Sequence, residues 1–291
     1  MKSKLYMILS MTIFGTIGIF RRLIPLSSGE LSLYRAVLAA VLILGYFLIK
    51  REKLDFSKIK KVLVLLVISG AAMGFNWIFL FEAYNYTSVS IATMSYYFAP
   101  ILVTVLSPFI FKEKLTLKNA LCFVFATVGL VLVVFAQPEN FSKTDFLGIA
   151  FGLLAAVLYA SVILLNKAIK DLSGIVRTFL QFLSAIVVLI PYVFITSGIN
   201  LSVLNKEEIF LLCLVGFVHT GVTYCLYFSS LHKLSGSTCA ILSYIDPLVA
   251  VICSVVLLEE PLGILQAVGG VMILGFTLLS EIQIKKTSAK C

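Results

Sequence analysis

Apolar runs of 19 to 25 residues, separated by short polar breaks, recur from one end of the chain to the other. They fall at 5–24, 31–49, 62–83, 87–111, 116–136, 146–166, 175–196, 208–230, 236–258 and 262–281. Each is long enough to cross about 30 Å of hydrocarbon as a helix. None shows the two-residue alternation of a barrel strand, so the pattern predicts ten transmembrane helices. The third and fourth nearly merge through "EAYNYTS" (82–88).

The breaks between runs set the orientation. With the N-terminus inside, the inner segments hold 18 of the 23 basic residues, from Lys2 and Lys4 to Lys286 and Lys290. The outer side keeps Arg21, Arg22, Lys143 and Lys206, with Arg35 just inside the second run. Lysine and arginine accumulate on the cytoplasmic side of a membrane protein, so both termini are placed in the cytoplasm and the bilayer is the cell membrane.

Composition agrees. Of 291 residues, 60% are hydrophobic and 13% charged, too few charges to cover soluble domains. The net charge of +9 lies between apolar runs, forms no stripe, and reads as a topology signal with no nucleic-acid partner. Five of the six cysteines lie inside apolar runs and none has CxxC spacing, so neither a disulfide framework nor a metal site is expected. "MKSKLYMILSMTIFGTIGIF" superficially resembles a signal peptide but is read as the first span, because further spans follow at once.

A shift of 147 aligns 74–124 with 221–271 and gives 11 identities in 51 positions, among them Gly74/Gly221, Tyr97/Tyr244, Pro100/Pro247, Ser107/Ser254 and Glu113/Glu260. At a shift of 146, Arg35 meets Gln181. The predicted organisation is a first five-helix repeat at 1–136, an extracytoplasmic linker at 137–145, a second repeat at 146–282 and a cytoplasmic tail at 283–291. Five is odd, so the second repeat enters the membrane inverted relative to the first. Inverted repeats are a transporter architecture with substrate at the midplane between the halves.

The stretches "MTIFGTIGIF", "LYRAVLAA", "YFAPILVTVLSPFIFKEKLT" and "SYIDPLVAVICSVVLLEEPLGILQAVGGVMILG" together resemble the EamA family of the drug/metabolite transporter superfamily. The resemblance covers nearly the whole chain and both repeats. It implies a ten-helix basket moving metabolites by alternating access, commonly exporting amino acids or related solutes. The family's end-of-span glutamate matches Glu113 and Glu260, although "LEEP" leaves Glu259 and Glu260 both open for that part.

Polar residues inside apolar runs are the candidate site. A carboxylate at a transmembrane helix centre costs about 2.5–3.5 kcal/mol, so Asp246 is read as a site for a proton or an ammonium group. The alternative is a packing carboxylate that accepts from a hydroxyl or pairs with Arg35. Pro247 and Pro100 withdraw a backbone hydrogen bond, which is tolerable where the freed carbonyl lines a wet cavity. Thr93, Tyr97, Pro100, Thr104 and Ser107 share one helical face; they line a cavity or bond helix to helix, and Tyr97, with Tyr96 beside it, is assigned to the cavity. Tyr244 follows as the repeat mate of Tyr97. Asn76 binds substrate or a neighbouring helix. Trp77 stacks on substrate or packs. Glu82 is a gate or proton site, or a solvated outer residue. His219 shares a face with Thr223 and Ser230, with Tyr224 adjacent, and lines a cavity or packs; His232 belongs to a cytoplasmic loop. Arg35, at the outer mouth of span two, either holds a carboxylate through a bidentate contact or snorkels outward. Glu113 and Glu260 serve as gates or packing anchors on opposite membrane faces.

The expected function is a secondary active or facilitative carrier, with small zwitterionic metabolites as substrate, export favoured and proton coupling open. A broad-specificity exporter is one alternative; a channel or lipid scramblase is another. No HExxH, Asp-rich metal motif, nucleophile turn or nucleotide loop appears, so no enzyme and no cofactor are expected. The oligomeric state is left open, a monomer being compatible.

Overall fold

The computed structural model describes residues 2–51, 54–111, 116–135, 143–169, 172–231, 234 and 242–281. Among these the chain forms helices and no strand. They are α1 (Lys2–Gly15), α2 (Ile17–Leu23), α3 (Ser28–Lys50), α4 (Phe56–Tyr86), α5 (Val89–Tyr96), α6 (Ala99–Phe111), α7 (Leu117–Phe135), α8 (Lys143–Ala168) and α9 (Gly174–Thr196). A 3₁₀ turn (Leu201–Val203) leads to α10 (Lys206–Leu214), a π-helical stretch (Val215–Val222), α11 (Thr223–Leu231), α12 (Ile245–Val256) and α13 (Ile264–Glu281). Seven segments are long and apolar enough to cross a membrane: Lys2–Leu23, Ser28–Lys50, Phe56–Tyr86, Val89–Phe111, Lys143–Ala168, Gly174–Thr196 and Lys206–Tyr227. Three shorter apolar helices, Ala120–Val133, Ile245–Val256 and Ile264–Leu279, occupy the remaining runs.

Local signals explain where the helices begin. Ser27 and Glu30 form a capping box at the start of α3, and Asn205 and Glu208 form another at α10. Asp55 accepts from the Ser57 and Lys58 backbone N–H groups to open α4, and Ser88 accepts from Ile91 N–H to open α5. Arg51, at φ 51°, ends α3 in the left-handed region.

Four runs expected as single helices are interrupted. The first breaks at Thr16, the fourth at Tyr97–Phe98, and the eighth changes to π geometry. The ninth also turns at Tyr244 before α12 starts, so Ser243 is not on the same helix as Asp246.

The longest helix, α4, packs against α8 and α9. Helix α3 packs against α9 and the π stretch, α1 against α11 and α12, α8 also against α5 and α6, and α7 against α13. The exterior is apolar: Ile195 is 83% exposed and Ile264 85%. The interior, by contrast, buries Arg35, Asn76, Gln181, His219 and Thr220. A soluble protein would reverse this arrangement, whereas hydrocarbon around the bundle accounts for it.

Two ends of the bundle are defined by contacts. At one, Arg22, Thr87, Val89 and Glu260 meet. At the other, the basic end, Arg177 reaches the carbonyls of Asn166 and Ile169, and Lys167 donates to Ser107.

Candidate functional site

The helix breaks bring polar chemistry to the middle of the bundle. Helix α12 begins at Ile245, so Asp246 occupies its first turn, where the helix dipole favours negative charge. Pro247 is the third residue of α12 and Pro100 the second of α6. In a first turn the missing proline N–H would have had no intrahelical partner, so both prolines fit without loss. A Cβ on Gly15 would lie 2.5 Å from the Asp246 carbonyl oxygen, so only glycine lets α1 approach that turn this closely.

Two connected cavities meet at Asp246. A chamber of about 110 Å³ is walled by Arg35, Trp77, Tyr84, Tyr96, His219 and their neighbours. A vestibule of about 530 Å³ runs toward the basic end past Pro100, Thr104, Asn166, Arg177, Gln181 and Tyr244. Phe14, Tyr97, Tyr159, Tyr224 and Asp246 border both, forming an aromatic throat.

Asp246 Oδ2 accepts from the Tyr97 hydroxyl at 2.5 Å. Tyr96 stacks on Tyr159 with ring centroids 5.3 Å apart and meets Tyr97 edge-on. Arg35 is 5% exposed, two turns inside α3 rather than at an outer mouth, and it does not snorkel. Its Nε donates to Thr220 Oγ1 at 3.1 Å, while its guanidinium lies 4.5 Å from the Trp77 ring centroid and 5.4 Å from that of Phe81. Among the described residues the ion pairs are Arg22–Glu260 and Lys58–Asp55. Arg35 and Asp246 therefore share a chamber without pairing to each other. His219 Nε2 lies 2.8 Å from Thr16 Oγ1 at the α1–α2 break. Tyr224 packs edge-on against Phe14 and Phe182.

Four sequence candidates among the described residues line neither cavity: Pro247, whose place in α12 is given above, and Asn76, Glu82 and Glu260. Asn76 donates from Nδ2 to the Ala155 carbonyl at 2.7 Å, tying α4 to α8, so its polarity serves packing. Glu82 accepts from Asn85 near the end of α4. Glu260 belongs to the end opposite the basic one. Its Oε1 accepts from Arg22 at 2.7 Å, and its Oε2 accepts from Val89 N–H at 2.7 Å and from Ser254 at 2.5 Å. Arg22 also donates to the Thr87 carbonyl. One carboxylate thus joins α2, α5 and α12. Between Glu259 and Glu260, it is Glu260 that makes these contacts. Glu113 and His232 lie outside the described residues.

Sequence reasoning missed Phe14, Tyr159 and Thr220. Each is an ordinary residue for an apolar helix, and only tertiary packing brings Phe14 and Tyr159 to the chamber wall and Thr220 behind it. Thr220 carried one usable signal, its place beside His219 between two glycines, Gly216 and Gly221.

The chain matches the EamA-like transporter family over residues 1–135 and 146–281. It is similar to "Uncharacterized transporter YxxF" of Bacillus subtilis, at 34% identity over 270 residues, covering 92% of this chain and 85% of the relative. It is also similar to an "Uncharacterized transporter" of Helicobacter pylori, at 27% identity over 212 residues, covering 70% of this chain and 68% of that one. A solved structure described as "Crystal structure of protein" superposes with a TM-score of 0.66 at 14% identity, covering 96% of each chain, and shows likeness of fold alone.

Proposed function

Since the chain belongs to the EamA-like transporter family, we propose that it carries small zwitterionic metabolites, amino acids among them, across the cytoplasmic membrane by alternating access. The observation that carries this reading is the chamber holding Arg35 and Asp246 unpaired to each other. A ligand with a carboxylate for Arg35 and an ammonium group for Asp246 supplies both missing partners. Tyr96, Tyr97 and Tyr224 offer aromatic faces to the same cation.

Alternating access rests on an inverted repeat, here residues 1–136 and 146–282 joined by 137–145. Helices α1–α2, α3, α4, α5–α6 and α7 correspond in order to α8, α9, α10–α11 with its π stretch, α12 and α13. Under that correspondence the packing of α4 on α8 answers that of α11 on α1. That of α6 on α8 likewise answers that of α12 on α1. The cavities answer each other too. Offsets of 145 to 147 carry Phe14 to Tyr159, Arg35 to Gln181, Trp77 to Tyr224 and Tyr97 to Tyr244, turning chamber positions into vestibule positions. One cavity is wide and its counterpart narrow, which is the asymmetry of an inward-facing state whose outer gate is the Arg22–Glu260 contact. Arg35 and Asp246 both line the chamber, and Gln181 stands where the other half has Arg35. Substrate therefore binds in the chamber, and the vestibule is its path from the cytoplasm, consistent with export. The vestibule's Met11, Met73, Val103 and Val162 tolerate varied side chains, which favours broad specificity as a second reading.

The test is counterflow in proteoliposomes with labelled amino acids, comparing native protein and Asp246→Asn with and without an imposed pH gradient. Saturable exchange that the variant loses is expected. Loss of only the gradient-driven part would assign Asp246 to proton coupling. Non-saturating flux without counterflow would replace the carrier by a channel or scramblase, and unchanged exchange in a folded variant would return Asp246 to packing.

A further inference from the structure

We infer that Thr220 is a positioning residue that turns Arg35 end-on to the chamber, so that a ligand carboxylate is gripped by Nη1 and Nη2 together. The inference rests on the zwitterion reading above and specifies how its acidic end is selected.

A guanidinium offers a carboxylate two bidentate edges, Nε with one Nη, or the two Nη groups. Here the first edge is taken, because Nε donates to Thr220 Oγ1 at 3.1 Å. The hydroxyl can only accept in that contact, since its own proton goes to the Val215 carbonyl at 3.0 Å, five residues back. That carbonyl is within reach because residues 215–222 are wound as a π helix. In an α-helix a threonine bonds back by three or four residues. A π insertion in an otherwise regular helix is often a functional feature, and here it fixes the polarity of one hydroxyl. The remaining freedom, rotation about the guanidinium's long axis, is restrained by Trp77 on one ring face at 4.5 Å and by Phe81 at 5.4 Å. Thr220 is fully buried behind the wall, whereas Arg35 belongs to the wall. The edge left to face the chamber is Nη1–Nη2.

The arrangement makes a specific demand. A carboxylate accepts two parallel N–H bonds from that edge, while a carboxamide offers one oxygen and turns an N–H toward two donors. The site should therefore separate an amino acid from its own amide, and the separation should depend on Thr220.

Trp77 is the only tryptophan, so its fluorescence reports directly on this chamber. The experiment titrates purified full-length protein with a panel of L-amino acids and with the matching L-amino acid amides, in native form and as Thr220→Val and Thr220→Ser. In the native protein acids should perturb Trp77 at lower concentration than amides. Thr220→Val should weaken the acids about tenfold, the loss of one charged hydrogen bond, with little change for the amides. Thr220→Ser should restore the native values. If valine disturbs the π stretch, seen as a lowered Tm, Arg35→Lys gives a second reading: a lysine has no fork, so acids should weaken toward their amides. Acids and amides weakened equally by Thr220→Val, or acids unaffected, would overturn the inference and leave the zwitterion reading standing. A native protein whose Trp77 responds to neither series would overturn both.

Discussion

A carboxylate inside a bilayer segment needs compensation, and Asp246 has two sources of it. It sits in the first turn of α12, where the helix dipole favours negative charge, and it accepts from the Tyr97 hydroxyl. Tyr97→Phe should remove the second source without altering the throat's shape. On the proposed function, counterflow of amino acids should fall about tenfold while Tm in detergent stays within a few degrees, since the loss is one hydrogen bond to a carboxylate at a cavity wall. An unchanged rate would show that Asp246 does not use Tyr97 during transport. At this scale much of the chamber was legible, because Arg35, His219 and Asp246 are chemical misfits in apolar runs and each lies in its wall. For Asn76 the same signal left substrate and a neighbouring helix both open. A polar side chain in hydrocarbon must find a partner, and for Asn76 that partner is the Ala155 carbonyl rather than a ligand. Tyr159 gave no signal, since one tyrosine among twelve is distinguished only by where its helix packs.

Helices place these side chains through their interruptions and close contacts. The breaks before Pro100 and Pro247 could be read from the prolines themselves, but the π stretch could not, because 3.6- and π-wound segments share the same apolar composition over eight residues. Close approach was likewise invisible until α7 met α13. A Cβ on Gly269 would lie 2.5 Å from the Gly129 carbonyl oxygen and 2.9 Å from Val133, whereas one on Gly275 of the same helix meets nothing within 4 Å. The two glycines therefore make a matched pair for thermal unfolding. Gly269→Ala should destabilise by about 1–3 kcal/mol through overpacking. Gly275→Ala should be neutral or stabilise by up to about 1 kcal/mol from helix propensity. Equal effects at the two sites would mean that α7 and α13 do not approach as closely as described.

For the whole molecule, the proposed alternating access requires a contact that holds one side shut while the other is open. On the side opposite the basic end, a single carboxylate gathers Arg22 from α2, the first N–H of α5 and Ser254 of α12. These elements come from both halves, so under the proposed alternating access a motion of one half against the other would break the Glu260 contacts. Glu260→Gln keeps the size but loses the ion pair and weakens the bond to Val89 N–H, which shifts the balance toward an open outer gate. The measurement uses protein with its six cysteines replaced and a single Leu80→Cys in the chamber wall. A membrane-impermeant thiol reagent applied from outside should label that cysteine about tenfold faster when Glu260→Gln is added, the factor expected for losing roughly 1.4 kcal/mol of closed-state stabilisation. Labelling from the cytoplasmic side should slow correspondingly, because in an alternating machine access gained on one face is lost on the other. Faster labelling from both sides would instead mean that Glu260 merely seals a pore, and alternation between two inverted halves would no longer describe this protein.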